Sequence, residues 1–199
     1  MATAAGQAHP REAAAQRNRE LLMVAALAEF ERHGPDASLE AIAREAGVGI
    51  GTLYRHFPTR GDLIFAVHEC EVRQLSTTAT ELLERLPPER ALRAWMESLA
   101  TFGLTKRWRA EVVSAAAKTG PSPSEAYKIL VAALAELLAA GTACGAIRGD
   151  IRADDVMLAL VGLWHVNIDD DWQGQTRRLL DLIMDGLRTG AAGAPPAAA

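Results

Sequence analysis

Residues 38–57 read SLEAIAREAGVGIGTLYRHF, and this stretch decides the fold of the region around it. Ser38 is predicted to cap a short helix over Leu39–Ala46, because its hydroxyl can accept a hydrogen bond from a free N–H in the first turn. Gly47 follows at a turn, where a positive φ is easy for glycine and costly for other residues. A second short helix is predicted over Ile50–Phe57, ending before the next proline. Two short helices joined by a glycine-containing turn indicate a helix-turn-helix.

Apolar residues at matching positions are expected to hold these two helices together. Ile42, Val48 and Leu53 supply the contacts, and Ala43 is small where the helices must cross closely. Helical spacing puts Leu53 and Phe57 on one face. We therefore expect both to be core residues and not DNA contacts.

The second helix carries the chemistry that a recognition helix needs. Such a helix enters the major groove with its N-terminal residues at the base edges. Gly49 and Gly51 are expected to leave room for a close approach to DNA, and the side chains after them offer hydroxyl, phenol, guanidinium and imidazole groups. The predicted DNA-binding residues are Ser38, Arg44, Gly49, Ile50, Thr52, Tyr54, Arg55, His56 and Arg60. For Arg44, Arg55 and His56 the alternative is an ordinary solvated side chain.

The start of the following helix is predicted to add a second phosphate site. Thr59 and Asp62 have the spacing of a capping box, which indicates where that helix begins. Free amides at residues 59–61 could bind a phosphate together with the Arg60 guanidinium, because helix N-termini favour anions.

Three segments around the motif resemble the TetR family of bacterial transcriptional regulators. They are Leu22-Met23-x-Ala25-Ala26 with Phe30 and Gly34, then SLEAIAREAGV (38–48), and then GTLYRHFPTRGDL (51–63). The resemblance spans about residues 17–66, and Gly49 departs from it, since the family often carries a serine there. It implies a DNA-binding regulator, most often a repressor. It also implies that residues after about 85 form a helical domain for dimerisation and for binding a small-molecule effector.

Helical periodicity continues through most of the chain, and no strand alternation is convincing. We therefore predict an all-α protein of about nine helices. The predicted domains are a disordered tail over residues 1–10, a three-helix helix-turn-helix DNA-binding domain over 11–66, a helical effector-binding and dimerisation domain over 67–189, and a second disordered tail over 190–199.

The composition argues against several classes of protein. A net charge of −4 disfavours a globally basic nucleic-acid binder, although a local basic face is compatible with it. Two cysteines are too few for a disulfide framework and have no metal-ligand spacing. No apolar run has the length of a membrane span, and the N-terminus does not resemble a signal peptide. The sequence therefore predicts a cytoplasmic protein without metal, cofactor or membrane contact.

All four tryptophans lie in the C-terminal two-thirds of the chain, outside the predicted DNA-binding domain. Small-molecule pockets are mostly apolar with a few polar groups. The candidates for lining an effector pocket are Trp95, Met96, Phe102, Tyr127, Trp164 and His165. For each of them, the alternative is an ordinary core residue.

Two later helices are predicted to form a homodimer interface. Residues 156–164 are apolar nearly all round the helix, and a helix without a polar face must be buried on both sides. With the last helix, it would give a four-helix interface of twofold symmetry. The predicted interface residues are Val156, Leu160, Leu163, Leu179, Ile183 and Leu187. Burial of these helices within a single chain is the competing interpretation.

The leading hypothesis is a transcriptional regulator, expected to be a repressor that a small-molecule effector releases from a palindromic operator on double-stranded DNA. One alternative is a DNA-binding dimer without an effector. Another is an all-helical enzyme, but the sequence lacks a nucleophile–base pair and a Gly-rich phosphate loop. We therefore predict no enzymatic activity and no catalytic residue.

Overall fold

The structure is a computed structural model that describes residues 10–109, 123–165 and 171–190. Within these ranges the chain forms eight α-helices and no β-strand, which confirms the all-α prediction. The helices are α1 (Pro10–His33), α2 (Leu39–Glu45), α3 (Ile50–His56), α4 (Arg60–Arg85), α5 (Pro88–Thr105), α6 (Pro123–Ala143), α7 (Ala153–Gly162) and α8 (Trp172–Leu187). Residues 1–9 and 191–199, which make up nearly all of the two predicted tails, lie outside the described ranges.

The described residues fall into two compact units, which divide within α4 between His68 and Glu69. In the first unit, α1 packs against α2 and α3. Its core contains fully buried apolar side chains from all four helices: Leu22, Ala26, Phe30, Ile42, Leu53, Phe57 and Leu63. Ala43 is also buried, so close packing of α2 against its neighbours is possible as the sequence predicts.

In the second unit, α5 is the central helix and packs against α6, α7 and α8. Its buried residues Leu92, Trp95, Met96 and Leu99 follow the i, i+3, i+4, i+7 pattern of a core-facing stripe. The Trp95 indole N–H donates to the Leu75 carbonyl at 2.8 Å. This hydrogen bond offsets the cost of removing the indole N–H from water, so α5 can bury its largest side chain completely.

The end of α8 is fastened to the loop between α6 and α7 by two backbone hydrogen bonds. The Arg148 N–H donates to the Leu187 carbonyl at 2.9 Å, and the Thr189 N–H donates to the Ala146 carbonyl at 3.1 Å. Arg148 also forms a bidentate pair with Asp150, at 2.6 and 2.7 Å. The hydrogen bond from Arg148 holds the pKa of the Asp150 carboxyl below its ordinary value.

Helix α6 corrects the expectation that no apolar run is long enough to span a membrane. By length and composition alone, Glu125–Ala143 is long and apolar enough, although only 33% of that window is buried. Its leucines Leu130, Leu134 and Leu137 are buried in the core of the second unit. Glu136 accepts a hydrogen bond from the Thr80 hydroxyl at 3.3 Å. These contacts are those of a core helix of a globular domain.

Candidate nucleic-acid interface

The helix-turn-helix is built by local contacts that the sequence predicts. The Ser38 hydroxyl accepts the Ala41 N–H at 3.2 Å and so caps α2. Gly47 has a φ of 69°, in the left-handed region where a side chain would be strained. Val48 then donates its N–H to the Ala43 carbonyl at 3.0 Å, which closes the turn. Both predictions, the cap and the glycine turn, are confirmed.

Helix α3 has one face buried in the core and one solvent-exposed face, the bare face, which carries Ile50 and Tyr54. Leu53 and Phe57 lie in the core, as predicted, while Ile50 and Tyr54 are 37% and 46% exposed. An isoleucine and a tyrosine four residues apart form a continuous outward patch on a helix. These two large side chains do not contribute to the core of the first unit, so packing within that unit does not explain their presence.

Two glycines stand at the beginning of this bare face, and the fold needs neither of them. Gly49 has an ordinary φ of −72° and begins α3 without a side-chain cap. A Cβ added to Gly49 or to Gly51 would meet no atom within 4 Å. A glycine in a helix interior costs about 1 kcal/mol relative to alanine. Two positions at the start of α3 therefore carry no side chain, although the protein could accommodate one at each.

The polar side chains of α3 lie close to that first turn. Arg55 donates from Nη2 to the Thr52 hydroxyl at 2.8 Å and from Nε to the Gly51 carbonyl at 3.2 Å. Arg55 is exposed, whereas Thr52 and His56 are half-buried. A ligand on the bare face would meet an arginine whose orientation is already fixed.

Two groups of the second phosphate site predicted at the start of α4 have partners within the protein. The Thr59 N–H, which was expected to be free, donates to the Asp62 carboxylate at 2.8 Å, and the Asp62 N–H donates back to the Thr59 hydroxyl at 3.1 Å. This confirms the capping box, but its carboxylate occupies the place where a phosphate would bind. Arg60 does not point to a free anion site either. It donates from Nη1 to the Ala37 carbonyl and from Nη2 to the Pro35 carbonyl, both at 2.6 Å.

Among the remaining candidates on α2, Ser38 uses its hydroxyl for the cap and to donate to Glu40 at 3.1 Å. The Arg44 side chain is exposed and forms no hydrogen bond or ion pair with any other described residue. Of these two, Arg44 therefore has its charge available for another molecule.

Sequence reasoning missed a polar network that joins α1 to α2. Glu29 is 5% exposed, and its carboxylate accepts from Arg32 at 3.0 Å and from the Ser38 N–H at 3.4 Å. Arg32 also pairs with Glu45 at 2.7 Å, and the Glu45 carboxylate raises the pKa of the Arg32 guanidinium. The i, i+3 spacing of Glu29 and Arg32 is visible in the sequence, but the contacts to Ser38 and Glu45 depend on the turn between the helices.

In the second unit, the six predicted pocket residues do not share one environment. Trp95 and Met96 are completely buried in the core. Phe102, Tyr127 and Trp164 are half-buried at its edge, and His165 is exposed. Trp164 lies against the backbone at Gly103, where an added Cβ would come within 1.8 Å of the indole nitrogen. The buried Trp164 N–H has no hydrogen-bond partner among the described residues.

A buried ion pair at the end of α5 was also missed. Arg109 is 1% exposed and pairs with Glu71, and Lys106 lies 3.5 Å from the same carboxylate. A buried charge is tolerated when it is paired. No periodic pattern in the sequence indicates this cluster, because its members come from different elements.

The predicted dimer residues are mostly interior residues of the chain itself. Val156, Leu160, Leu163 and Leu187 are buried, whereas Leu179 and Ile183 are half-buried. The four buried side chains cannot contact a partner without rearrangement, which favours the competing interpretation for them. The large apolar residues exposed on α7 and α8 are Leu158, at 64%, and Leu182, at 69%.

Comparison with known proteins agrees with this geometry. Residues 22–67 match the family described as "Bacterial regulatory proteins, tetR family", and residues 87–189 match "Transcriptional regulator SbtR-like, C-terminal domain". The solved TetR transcriptional regulator SCO0520 from Streptomyces coelicolor is 43% identical, with 85% of this chain and 98% of that chain covered and a TM-score of 0.72. A TetR regulatory protein from Mycobacterium vanbaalenii is 31% identical, with 90% and 99% covered and a TM-score of 0.66.

The HTH-type transcriptional repressor LfrR of Mycolicibacterium smegmatis is 37% identical over 92 residues, which cover 45% of this chain and 48% of that protein. The chain thus spans about half, or less, of the length of the curated relatives it matches. The fold, the bare face of α3 and these matches define a helix-turn-helix transcriptional regulator and not an enzyme. The chain belongs to the TetR family.

Proposed function

We propose that the protein is a homodimeric repressor that binds a palindromic operator through α3 and leaves it when a small-molecule effector binds to the second unit. The observation that carries the proposal is the outward face of α3, where Ile50 and Tyr54 are exposed beside two glycines that the fold does not require. A backbone without side chains can approach base edges and phosphates closely. The name of the relative LfrR supports repression over activation. Operator binding would place the protein in the cytoplasm.

The dimer is supported by an apolar face that the chain leaves uncovered. Gln175, Leu179, Leu182 and Gly186 share one face of α8 at the spacing i, i+4, i+7, i+11. Leu158 and Gly162 form a similar exposed strip on α7, and a Cβ added at Gly162 or Gly186 would meet nothing within 4 Å. Small residues beside exposed leucines let another helix approach closely. A dimer through these faces could carry two α3 helices to half-sites about 34–36 Å apart.

The effector site is proposed at the edge of the second core. Trp164 offers a buried N–H donor that has no partner in the described part of the chain, and Phe102 and Tyr127 add half-buried rings. A ligand with an acceptor oxygen beside an apolar body would satisfy that donor, since buried polar groups are normally hydrogen-bonded. Trp95 and Met96 would then support the site from the core without touching the ligand.

DNA binding is the first test. Purified protein is titrated with DNA from immediately upstream of its own gene across a salt series, with Arg55→Ala as the matched variant. We expect affinity that falls steeply with salt, because phosphate contacts release counterions, and a loss of affinity in the variant. If this fragment does not bind, selection from random duplexes locates an operator elsewhere. Failure of both experiments contradicts the proposal.

The bound fragment then separates the two remaining alternatives. A compound that releases the DNA and quenches tryptophan fluorescence supports an effector site, and loss of both effects in Trp164→Phe, which removes the N–H donor, would place the ligand at that donor. A broad screen in which no compound changes DNA affinity would favour a DNA-binding dimer without an effector.

A further inference from the structure

The guanidinium of Arg60 is hydrogen-bonded within the protein, whereas an arginine that binds phosphate would have donors free for it. Its two terminal nitrogens each donate to a backbone carbonyl, Pro35 and Ala37, at 2.6 Å. Its guanidinium carbon lies 5.7 Å from the centre of the Phe30 ring. Hydrogen bonds from a charged donor are shorter and stronger than neutral ones. Arg60 is thus held in place by two residues of the segment that joins α1 to α2 and by Phe30 of α1.

The two carbonyls lie where they can set the direction of α2. Pro35 belongs to a 3₁₀ turn that follows α1, and Ala37 is buried directly before Ser38, the residue that caps α2. Because Ser38 also receives support from Glu29, the start of α2 is fixed from α1 on one side and from α4 on the other. Helix α3 follows α2 after a turn of four residues, 46–49. The orientation of α3 therefore depends on the Arg60 contacts.

We infer that Arg60 is a positioning residue for DNA binding, not a phosphate contact. It fastens the helix-turn-helix to the first turn of α4, so that α3 is presented at one fixed angle to that helix. The inference rests on the proposed operator binding. A planar guanidinium can donate to two carbonyls at once, whereas a lysine ammonium is a flexible point charge that cannot reproduce this fork. A lysine at position 60 would therefore keep the positive charge but not the two hydrogen bonds to the carbonyls.

The experiment compares Arg60→Lys with Arg60→Met in the full-length protein, using a duplex selected from random DNA by the wild-type protein. Circular dichroism establishes that each variant is folded, and affinities are measured across a salt series. Arg44→Met is the control for a charged side chain without an internal partner. We expect both Arg60 variants to lose at least about tenfold in affinity, within the usual range of energetic coupling between sites. The slope of log affinity against log salt should stay at the wild-type value.

A phosphate contact would give a different pattern. Arg60→Lys would keep the affinity, and Arg60→Met would reduce the salt slope by about 1. Retained affinity in Arg60→Lys, or a reduced slope in either variant, overturns the inference. If Arg60→Met does not fold, the affinity and slope of Arg60→Lys decide the question alone.

A measurement without DNA keeps this inference distinct from the proposed function. Hydrogen exchange of the amides of residues 37–42 in free Arg60→Lys should be at least about tenfold faster than in the wild type, since local opening becomes easier when its contacts are lost. Amides in the middle of α1 should exchange at unchanged rates. Unchanged exchange at residues 37–42 would overturn the inference even where DNA binds. Failure to select any duplex, with the exchange effect present, would instead contradict the operator proposal.

Discussion

The two compact units use different interactions to fix the orientation of their helices. In the first unit, polar side chains fix the short helix α2 in place: Glu29 and Arg32 join it to α1, and Arg60 joins the turn before it to α4. In the second unit, long helices pack through a broad apolar core around Trp95, and the buried polar groups serve that core. Short helices bury too little surface to fix their own angles, so directional hydrogen bonds must do so. Substitutions that disturb backbone or hydrogen-bond geometry should therefore destabilise the first unit, and substitutions that change side-chain volume should destabilise the second.

Removal of a large buried side chain from the second unit should cause the largest loss of unfolding free energy. Trp95→Ala deletes a completely buried side chain and its hydrogen bond to Leu75. Large-to-small changes of an aromatic core residue cost about 3–5 kcal/mol. We expect a loss of this size in urea unfolding followed by circular dichroism. Leu21→Ala, at an exposed apolar position of α1, should change the unfolding free energy by less than about 0.5 kcal/mol. Similar losses in both variants would contradict the comparison.

The next largest effect concerns the uncovered face of the second unit. Leu182→Glu places a charge where an exposed leucine is proposed to meet a partner chain. Interface anchors contribute about 2 kcal/mol or more, so the dimer dissociation constant should rise by at least tenfold in sedimentation equilibrium. Gln173→Glu adds the same charge on the opposite face of α8 and should leave the dimer intact. Weakening of the dimer by Gln173→Glu instead would move the interface to the other face.

A smaller effect tests geometry in the first unit. Gly47→Ala forces a side chain into a left-handed backbone conformation, which costs about 1–2 kcal/mol. Gly51→Ala adds the same methyl group in a helix with open space around it, and it should raise stability by up to about 1 kcal/mol. Thermal unfolding of the two variants should therefore shift in opposite directions. Shifts in the same direction would show that the turn does not depend on the φ of residue 47.

The smallest effect concerns the exposed pair that supports the end of α8. Arg148 lowers the pKa of Asp150 below its ordinary value of 3.8. A carboxyl whose pKa is lowered by folding stabilises the protein above its unfolded pKa, and that stability is lost as the pH falls through the folded pKa. Asp150→Asn should thus be slightly less stable than wild type at neutral pH. The two unfolding curves should converge below about pH 3.8. A difference that persists at lower pH would mean that Asp150 acts through something other than its charge.

The sequence predicts contacts between neighbours along the chain better than contacts between distant residues. The Ser38 cap, the Gly47 turn and the Thr59–Asp62 capping box involve groups at most five residues apart, so spacing alone predicts them. The contacts of Arg60 could not be predicted in this way, because its acceptors lie 23 and 25 residues earlier in the chain. Its charge beside a helix start is typical of a phosphate site, and only the folded turn reveals the two carbonyls.

In the second unit, the helical periodicity of apolar residues predicts which helix faces are buried. It does not predict whether a face is covered by the same chain, by a ligand or by a partner chain. Residues 156–164 are apolar nearly all round, which led to Leu160 and Leu163 as partner contacts, although α5 and its neighbours cover both. Leu158 lies in the same apolar run and is exposed. Core, pocket and interface are lined by the same residue types, so the three can be separated only when the packing of this chain is known.

The central claim is that the bare face of α3 exists to meet DNA, and Gly51→Leu tests it most directly. The fold offers open space at that position and leucine is a better helix former than glycine, so the variant should unfold at the same or a higher temperature. The same side chain would stand between α3 and the operator. We predict unchanged or raised thermal stability together with a loss of at least about tenfold in affinity for the selected duplex. Stability retained with full affinity would contradict the claim that this face approaches DNA.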